Sequence, residues 1–465
     1  MNPTTSEPSR PERRGLVDRL LSPFADVQGG EGVGALLMML TAFLLLSAYY
    51  IIKPLREALI LSGEGAEAKS YSSAVQAVLL LLIVPAYGKL GSRVGRIRLI
   101  TWVSLFFISN LVVFDILGSA GAPWLGVPFF MWVGIFNVMI VAQFWAFAND
   151  LYTPEQGKRL FAVLAIGSSL GAIAGAAIAK PLIEKIGVFQ PMLVAAVLLG
   201  GAIVLSRIVH HRQHVARGMR GEQVDADAPL SGEGGFKLVF KTRYLLLIAI
   251  FILLLNTVNT TGEYILGKTV EGAAQQAAGP AGQKEWIGVF YSDFFFWVNL
   301  VGALAQLFLV SRIMKWFGVR VALFVLPVIA LGGYLLLATA PVLAYIRGVK
   351  IAENATDYSL NNTARHALFL PTAREAKYKA KAAIDGFFWR MGDLVSAGIV
   401  FTSVQLALGI RQIAMINVVF VVAWLAILFF IGREHRKLVG DEREAHEPGP
   451  EGEGAPRPSG RRVPA

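Results

Sequence analysis

Arg347, Lys350, Glu353, Asn354, Asp357 and Asn361 recur every three or four positions through one mainly apolar segment. On a helix that spacing places them along one stripe. Guanidinium and ammonium groups bind phosphate and carboxylate, while intramembrane carboxylates can relay protons or gate a path. Similar faces occur elsewhere. Lys53, Arg56 and Glu57 close the first apolar segment, and Asn256, Asn259 and Glu263 fall at i, i+3 and i+7 of another. Asn137, Gln143, Asn149 and Asp150 extend along a fourth segment, Asp293 and Asn299 lie in an eighth, and Asp385, Arg390 and Asp393 mark an eleventh. The residues expected to bind a solute are Lys53, Arg56, Asn149, Asn256, Asn259, Arg347, Lys350 and Arg390. Those expected to couple or gate are Glu57, Asp150, Glu263, Glu353, Asp357, Asp385 and Asp393. Sequence does not rank anion binding against proton coupling.

The elements that must position these groups are membrane helices. Of the 465 residues, 55% are hydrophobic and 16% charged, against roughly 25% charged in soluble domains. The apolar residues come in blocks of about twenty, the length of one bilayer crossing. Spans are expected at 34–52, 72–88, 99–117, 127–148, 160–179 and 189–208, then at 244–262, 287–310, 319–339, 342–362, 384–405 and 412–431. Four bare charges at the bilayer centre would cost on the order of 10 kcal/mol, so the stripe of the tenth span must face water or counter-charges. A segment displaced to the membrane surface is the alternative. For Lys53 and Arg56 the alternative is a snorkelling helix end, with Pro54 loosening the helix beside them.

The expected organisation is an all-α membrane protein of about twelve transmembrane helices in two six-helix halves, with both termini cytoplasmic. An N-terminal segment 1–33 precedes a bundle 34–209. A polar linker 210–243 follows, then a second bundle 244–432 and a disordered tail 433–465. The net charge of +11 gathers in loops on one side, at Lys89, Arg93, Arg96 and Arg98, at Lys158 and Arg159, at Arg312, Lys315 and Arg320, and within 374–381. That is the positive-inside pattern rather than a nucleic-acid footprint. The opposite loops balance their cations, as at Glu64, Glu67 and Lys69. Residues 1–33 lack the apolar core of a cleavable signal peptide.

The chain has no cysteine, which removes disulfides and thiolate metal sites. His210 and His214 have a metal-compatible spacing but sit among arginines, and a basic juxtamembrane run is the reading adopted. No metal, cofactor or catalytic residue is expected. Gly167, Gly171 and Gly175 put small residues on one helix face, which favours close helix packing, with a rocking interface as a second use.

Two six-span halves joined by a cytoplasmic loop follow the major facilitator plan. The stretch Gly88-Lys89-Leu90-Gly91-Ser92-Arg93-Val94-Gly95-Arg96 is similar to that superfamily's loop motif, with Ser92 at the usual acid; residues 312–320 give a weaker echo. More specific are Tyr49-Tyr50-Ile51-Ile52-Lys53-Pro54-Leu55-Arg56-Glu57-Ala58-Leu59, Phe144-Trp145-Ala146-Phe147-Ala148-Asn149-Asp150 with Lys158-Arg159-Leu160-Phe161, and Tyr358-Ser359-Leu360 with Leu370-Pro371. A further block runs from Lys377 to Asp385 and on to Arg390-Met391-Gly392. Through these the chain resembles the nucleotide translocase (ATP/ADP antiporter) family of plastids and intracellular bacteria. The resemblance implies a multi-pass protein of the bacterial inner (cytoplasmic) membrane. It also implies a cavity lysine, retained as Lys53, with two glutamates and a second lysine. At those three positions stand Val133, Asn259 (with Glu263 one turn away) and Asp393, so the resemblance implies an altered solute in the same fold.

The expected function is therefore secondary transport of a nucleotide or other organic anion by alternating access, with the lipid bilayer as environment. Proton-coupled transport of a different small solute is the first alternative. A non-transporting membrane sensor or partner-binding protein is the second. No nucleophile elbow or phosphate-binding Gly-Lys-Ser/Thr loop points to an enzyme.

Overall fold

The computed structural model describes residues 15–23, 25–91, 94–218, 235–372 and 376–446. Arg13, Arg14, Arg93, Arg220, the acidic run 225–227 and the tail from 447 lie outside the described residues, as do Ser92 and Arg374. The side chains of Lys89, His214 and Arg217 lie outside them too.

The described residues are helical nearly throughout. A short α1 (Leu16–Leu21) precedes α2 (Gly32–Gly63), α3 (Gly65–Gly91), α4 (Arg96–Ser119), α5 (Gly126–Leu151), α6 (Pro154–Ile186) and α7 (Pro191–Gly218). After the linker come α8 (Gly235–Lys241), α9 (Arg243–Ala305), a π-helical turn Gln306–Val310 and α10 (Ser311–Thr339). Next are α11 (Leu343–Thr356), a π turn Asp357–Asn361 and α12 (Asn362–Ala367). The last group is α13 (Lys381–Ala383) between two more π turns, α14 (Trp389–Gln405) and α15 (Ile410–His446).

Eight helical stretches among the described residues are long and apolar enough to cross a membrane. One of them is the run Arg243–Thr339, which covers three expected spans. Gly279 at φ 62° and Gly318 at φ 73° break it, a backbone region that glycine enters without a Cβ penalty, and Pro280 reinforces the first break. The expected tenth and eleventh spans are not among the eight. Their polar stripes lower the apolarity, and π turns leave α11 and α14 with 14 and 17 residues.

Helix starts follow from local chemistry. Thr153 caps α6, its hydroxyl accepting from Gln156 N at 3.3 Å while Gln156 Oε1 accepts from Thr153 N at 3.1 Å, a capping box. Pro154 then fills the first helical position, where no N–H is needed. In α2 the helix continues through Pro54 to Gly63, so the expected loosening does not end it.

Lipid is as apolar as leucine, so close packing and hydrogen bonds must hold these helices together. The glycines of α6 supply the packing. A Cβ on Gly167 would stand 2.2 Å from the Met39 carbonyl oxygen, one on Gly171 2.4 Å from that of Phe43, and one on Gly175 2.5 Å from that of Ser47. The two backbones therefore touch along three turns, and Ser47 Oγ donates to Gly171 O at 3.2 Å. The helix α9 is the counterpart on the other side, packed by α11, α14 and α15 and also touching α2, α3 and α6. These helices bring the cavity residues together.

Candidate functional site

On α2, Tyr49, Lys53 and Arg56 follow one another at helical turns, and this face opens on a cavity of about 280 Å³. Facing it, α3 contributes Lys69, Ser73 and Gln76, and α5 contributes Phe130. From the opposite side come Asn256, Asn259, Thr260, Glu263 and Phe295 of α9. Asn354 of α11, Tyr358 of the π turn, and Trp389, Arg390 and Asp393 of α14 complete the wall. Seven of the fifteen expected residues thus line one space: Lys53, Arg56, Asn256, Asn259, Glu263, Arg390 and Asp393.

Most of its charges are matched. Arg56 forms a close ion pair with Glu57, which also takes Lys69 at 2.7 Å. Lys69 reaches Glu263 at 3.9 Å, and Glu263 meets Lys350 at 3.5 Å. Lys350, completely buried, pairs with Glu353 at 2.9 Å and donates to Asn259 Oδ1 at 3.0 Å. Tyr334 donates to Glu353 at 3.2 Å, and Asn354 to Glu263 at 3.0 Å. Asp393 takes Arg390 at 3.5 Å, Asn256 at 2.8 Å and Thr260 at 3.0 Å. Such pairing is what permits so many charges to be buried.

Lys53 differs. It is 8% exposed, yet among the described residues it has no carboxylate partner. Its ammonium lies instead against aromatic rings, 4.0 Å from the Phe295 centroid, 5.1 Å from Tyr50 and 5.7 Å from Tyr49. Cation–π contacts of this kind hold a cation without neutralising it.

The remaining expected residues lie elsewhere. Glu57, Lys350 and Glu353 form a buried layer behind the wall. Asp357 sits in the π turn and accepts from Asn361 at 2.7 Å. Arg347 is ion-paired with Asp293 outside the cavity, and Asp385 with Lys381 at 2.6 Å. Asn149 and Asp150 are exposed at the end of α5, where Asp150 meets Arg96 at 2.6 Å. Conversely, Lys69 was expected in a balanced outer loop but is buried in the wall. The physical reason is that α3 begins at Gly65, before the expected span at 72, and draws Lys69 into the bundle.

A second cavity of about 410 Å³ lies towards the N-terminal end of α2, between Leu45, Ile140 and Trp145 on one side and Asn299, Gln306 and Asn362 on the other. Tyr358 lines both spaces. At the opposite end, α3 is tied to α9: Glu67 takes Lys268 at 2.9 Å and Tyr264 Oη at 3.0 Å, and Ala66 N donates to Glu271 at 3.1 Å. One end of the central space is latched and the other adjoins a larger void. Among the described residues no cluster of three or more His, Asp or Glu suits a metal ion.

Solved structures with this fold include a peptide transporter POT in complex with sulfate, at TM-score 0.60 and 14% identity, covering 90% of this chain and 99% of that one. A bacterial homologue of the iron transporter ferroportin in an inward-facing state gives TM-score 0.58 at 14% identity, covering 86% and 98%. At such identities the likeness is one of fold alone. Among curated proteins, ADP,ATP carrier protein 1 of Chlamydia pneumoniae is 22% identical, the match spanning 62% of this chain and 63% of the relative's length. ADP,ATP carrier protein 2 of the same organism is 21% identical over 87% of this chain and 89% of its own length. ADP,ATP carrier protein 5 of Rickettsia felis is 24% identical over 85% and 93%. The model of the TLC ATP/ADP transporter family matches residues 129–342 and 334–435, which reach across α5 to α15 and take in the cavity residues of α9, α11 and α14. With well over half of its length so matched, the chain belongs to the TLC ATP/ADP transporter family.

Proposed function

We propose that this protein is a secondary transporter that moves a nucleotide or another organic anion through the bilayer by alternating access. The observation that carries the reading is Lys53, a buried ammonium without a carboxylate partner among the described residues, facing a cavity between helices from both ends of the chain. An unmatched buried cation is costly, and an anionic solute would supply the missing charge. Family membership and the carriers named above support the same class of cargo. In this reading the chain makes twelve crossings of a bacterial inner membrane as two bundles, 34–209 and 244–432, with both termini and the linker 210–243 in the cytoplasm. The latch at Glu67 then closes the outer side, and the larger void leads inward past Tyr358.

The test is uptake into proteoliposomes of purified protein, loaded with unlabelled nucleotide or organic acid and offered the labelled compound. Saturable exchange that disappears in Lys53→Ala is the expected result. Absence of saturable flux for every anion in the panel would overturn the reading. Flux that requires a pH gradient and is lost in Asp393→Asn would replace exchange by proton coupling.

A further inference from the structure

The charge count around the cavity constrains its cargo. Five cations belong to it, Lys53, Arg56, Lys69, Lys350 and Arg390, and four carboxylates, Glu57, Glu263, Glu353 and Asp393. All four carboxylates are engaged by cations from the same set. Asp357 stands outside this balance because it does not line the cavity; in the π turn it accepts from Asn361 at 2.7 Å. One positive charge is left over, and it is located at Lys53.

We infer that the preferred solute carries one anionic group on a body with a flat aromatic face, a nucleoside monophosphate or an aromatic carboxylate, rather than a polyphosphate. This inference rests on the transport reading above and narrows its substrate class. The anionic group meets Lys53, and the flat face has aromatic rings to lie against, Tyr358 and Trp389 among them. A volume of about 280 Å³ is at the small end of ligand sites. Each further phosphate brings roughly one to two negative charges into a space whose remaining cations are already shared with carboxylates. Binding it would require one of those pairs to be broken, and breaking a buried pair is strongly unfavourable.

Asp393 provides the lever for a test. It lines the cavity and lies 3.5 Å from Arg390, with Asn256 and Thr260 donating to it. Asp393→Asn keeps the side-chain shape, removes one negative charge and frees Arg390, so the leftover charge rises to two. The experiment is equilibrium binding to the purified full-length protein of AMP, ADP, ATP and an aromatic monocarboxylate, for wild type and Asp393→Asn, with counterflow in proteoliposomes measured in parallel. For the wild type, AMP or the carboxylate is expected to bind at least tenfold more tightly than ATP, and whichever of the two binds better identifies the anionic group. In Asp393→Asn the AMP-to-ADP preference should fall at least fivefold. Tightest binding of ATP by the wild type overturns the inference while leaving the transport reading intact. An unchanged preference in folded Asp393→Asn protein overturns it as well. Charge-selective binding without counterflow would sustain the inference and overturn transport, and binding of none of the four anions overturns both.

Discussion

Lys69 on α3 and Glu263 on α9 stand 3.9 Å apart across the seam between the two sets of helices, and each has a closer partner on its own side. Lys69 is 2.7 Å from Glu57, and Glu263 is 3.5 Å from Lys350. The buried charges therefore alternate in sign from Arg56 through Glu57, Lys69, Glu263 and Lys350 to Glu353, and the longest link is the one that crosses the seam. Parting the helices there leaves Lys69 and Glu263 each with its closer partner. A rocking motion needs such a contact, because separating a tight buried pair would cost several kcal/mol per exposed ion.

The coupling energies should follow those distances. A double-mutant cycle on Lys69→Met and Glu263→Gln, read by thermal unfolding in detergent, is expected to give less than about 1 kcal/mol. The cycle on Lys350→Met and Glu353→Gln should give about 3 kcal/mol, the cost of stranding a buried charge. Equal couplings would remove the argument for a seam built to part.

Helix periodicity made the faces legible but not the depths. Asn354 and Arg347 share a stripe, and only Asn354 lines the cavity. Seven residues separate them, about 10 Å along a helix axis, which carries Arg347 out to its pair with Asp293. Asp385 lies similarly beyond Arg390 and Asp393, and Asp150 sits twenty residues, about 30 Å, past Phe130 on α5. Hydropathy located the apolar blocks well. It missed the lower end of α3, where Glu67 and Lys69 read as loop charges yet are drawn into the helix and neutralised there. It also could not foresee that, among the described residues, Lys53 would be the cavity cation without a carboxylate at ion-pair distance, because the packing of α2 against α9 sets Phe295 rather than an acid beside it.

Lys53→Met should separate function from stability. Anion binding is expected to weaken at least tenfold, about 1.4 kcal/mol, while the unfolding midpoint stays the same or rises, since the change removes an uncompensated buried charge and keeps an apolar stem against Phe295. A sharp fall in the midpoint would mean that the ammonium stabilises the fold through contacts other than those seen.

The latch at Glu67 should control access from its side of the membrane. The natural sequence contains no cysteine, so Ser73→Cys in the cavity wall would be the only thiol. Adding Glu67→Gln removes the ion pair to Lys268 and is expected to speed labelling by a membrane-impermeant maleimide severalfold when the reagent is applied on the latch side. Labelling from the other side should slow in step if one space is opened alternately. An increase on both sides would indicate general loosening.

At the contact of α6 with α2 the expected effect is steric. Gly171→Ala places a Cβ 2.4 Å from the Phe43 carbonyl oxygen, and backbone cannot yield as a flexible side chain would. Overpacking of this kind costs roughly 1–3 kcal/mol. Gly200→Ala, where a Cβ meets nothing within 4 Å, should be neutral or slightly stabilising. Comparison of the two unfolding midpoints checks both signs together.

The entry to α2 should respond to pH. Burial pushes the Glu31 carboxyl up, but hydrogen bonds from Arg159, the Gln28 N–H and Gln156, together with the Arg159 charge, outweigh it and hold the group below its ordinary 4.5. Both Arg159 contacts are 2.9 Å and the Gln156 contact is 3.0 Å. A carboxyl whose folded value is depressed binds protons more readily in the unfolded chain. Its contribution is therefore complete above about 4.5 and fades as the pH falls through the lower folded value. Because Glu31 is partly solvated, the effect is a modest one. The difference in unfolding midpoint between wild type and Glu31→Gln should be greatest near pH 7 and shrink below pH 4.5, with the variant the flatter of the two. A difference that grows on acidification would show that the carboxyl is stabilised in its protonated form, and would take with it the assignment of Arg159 as the group that fastens α6 to the start of α2.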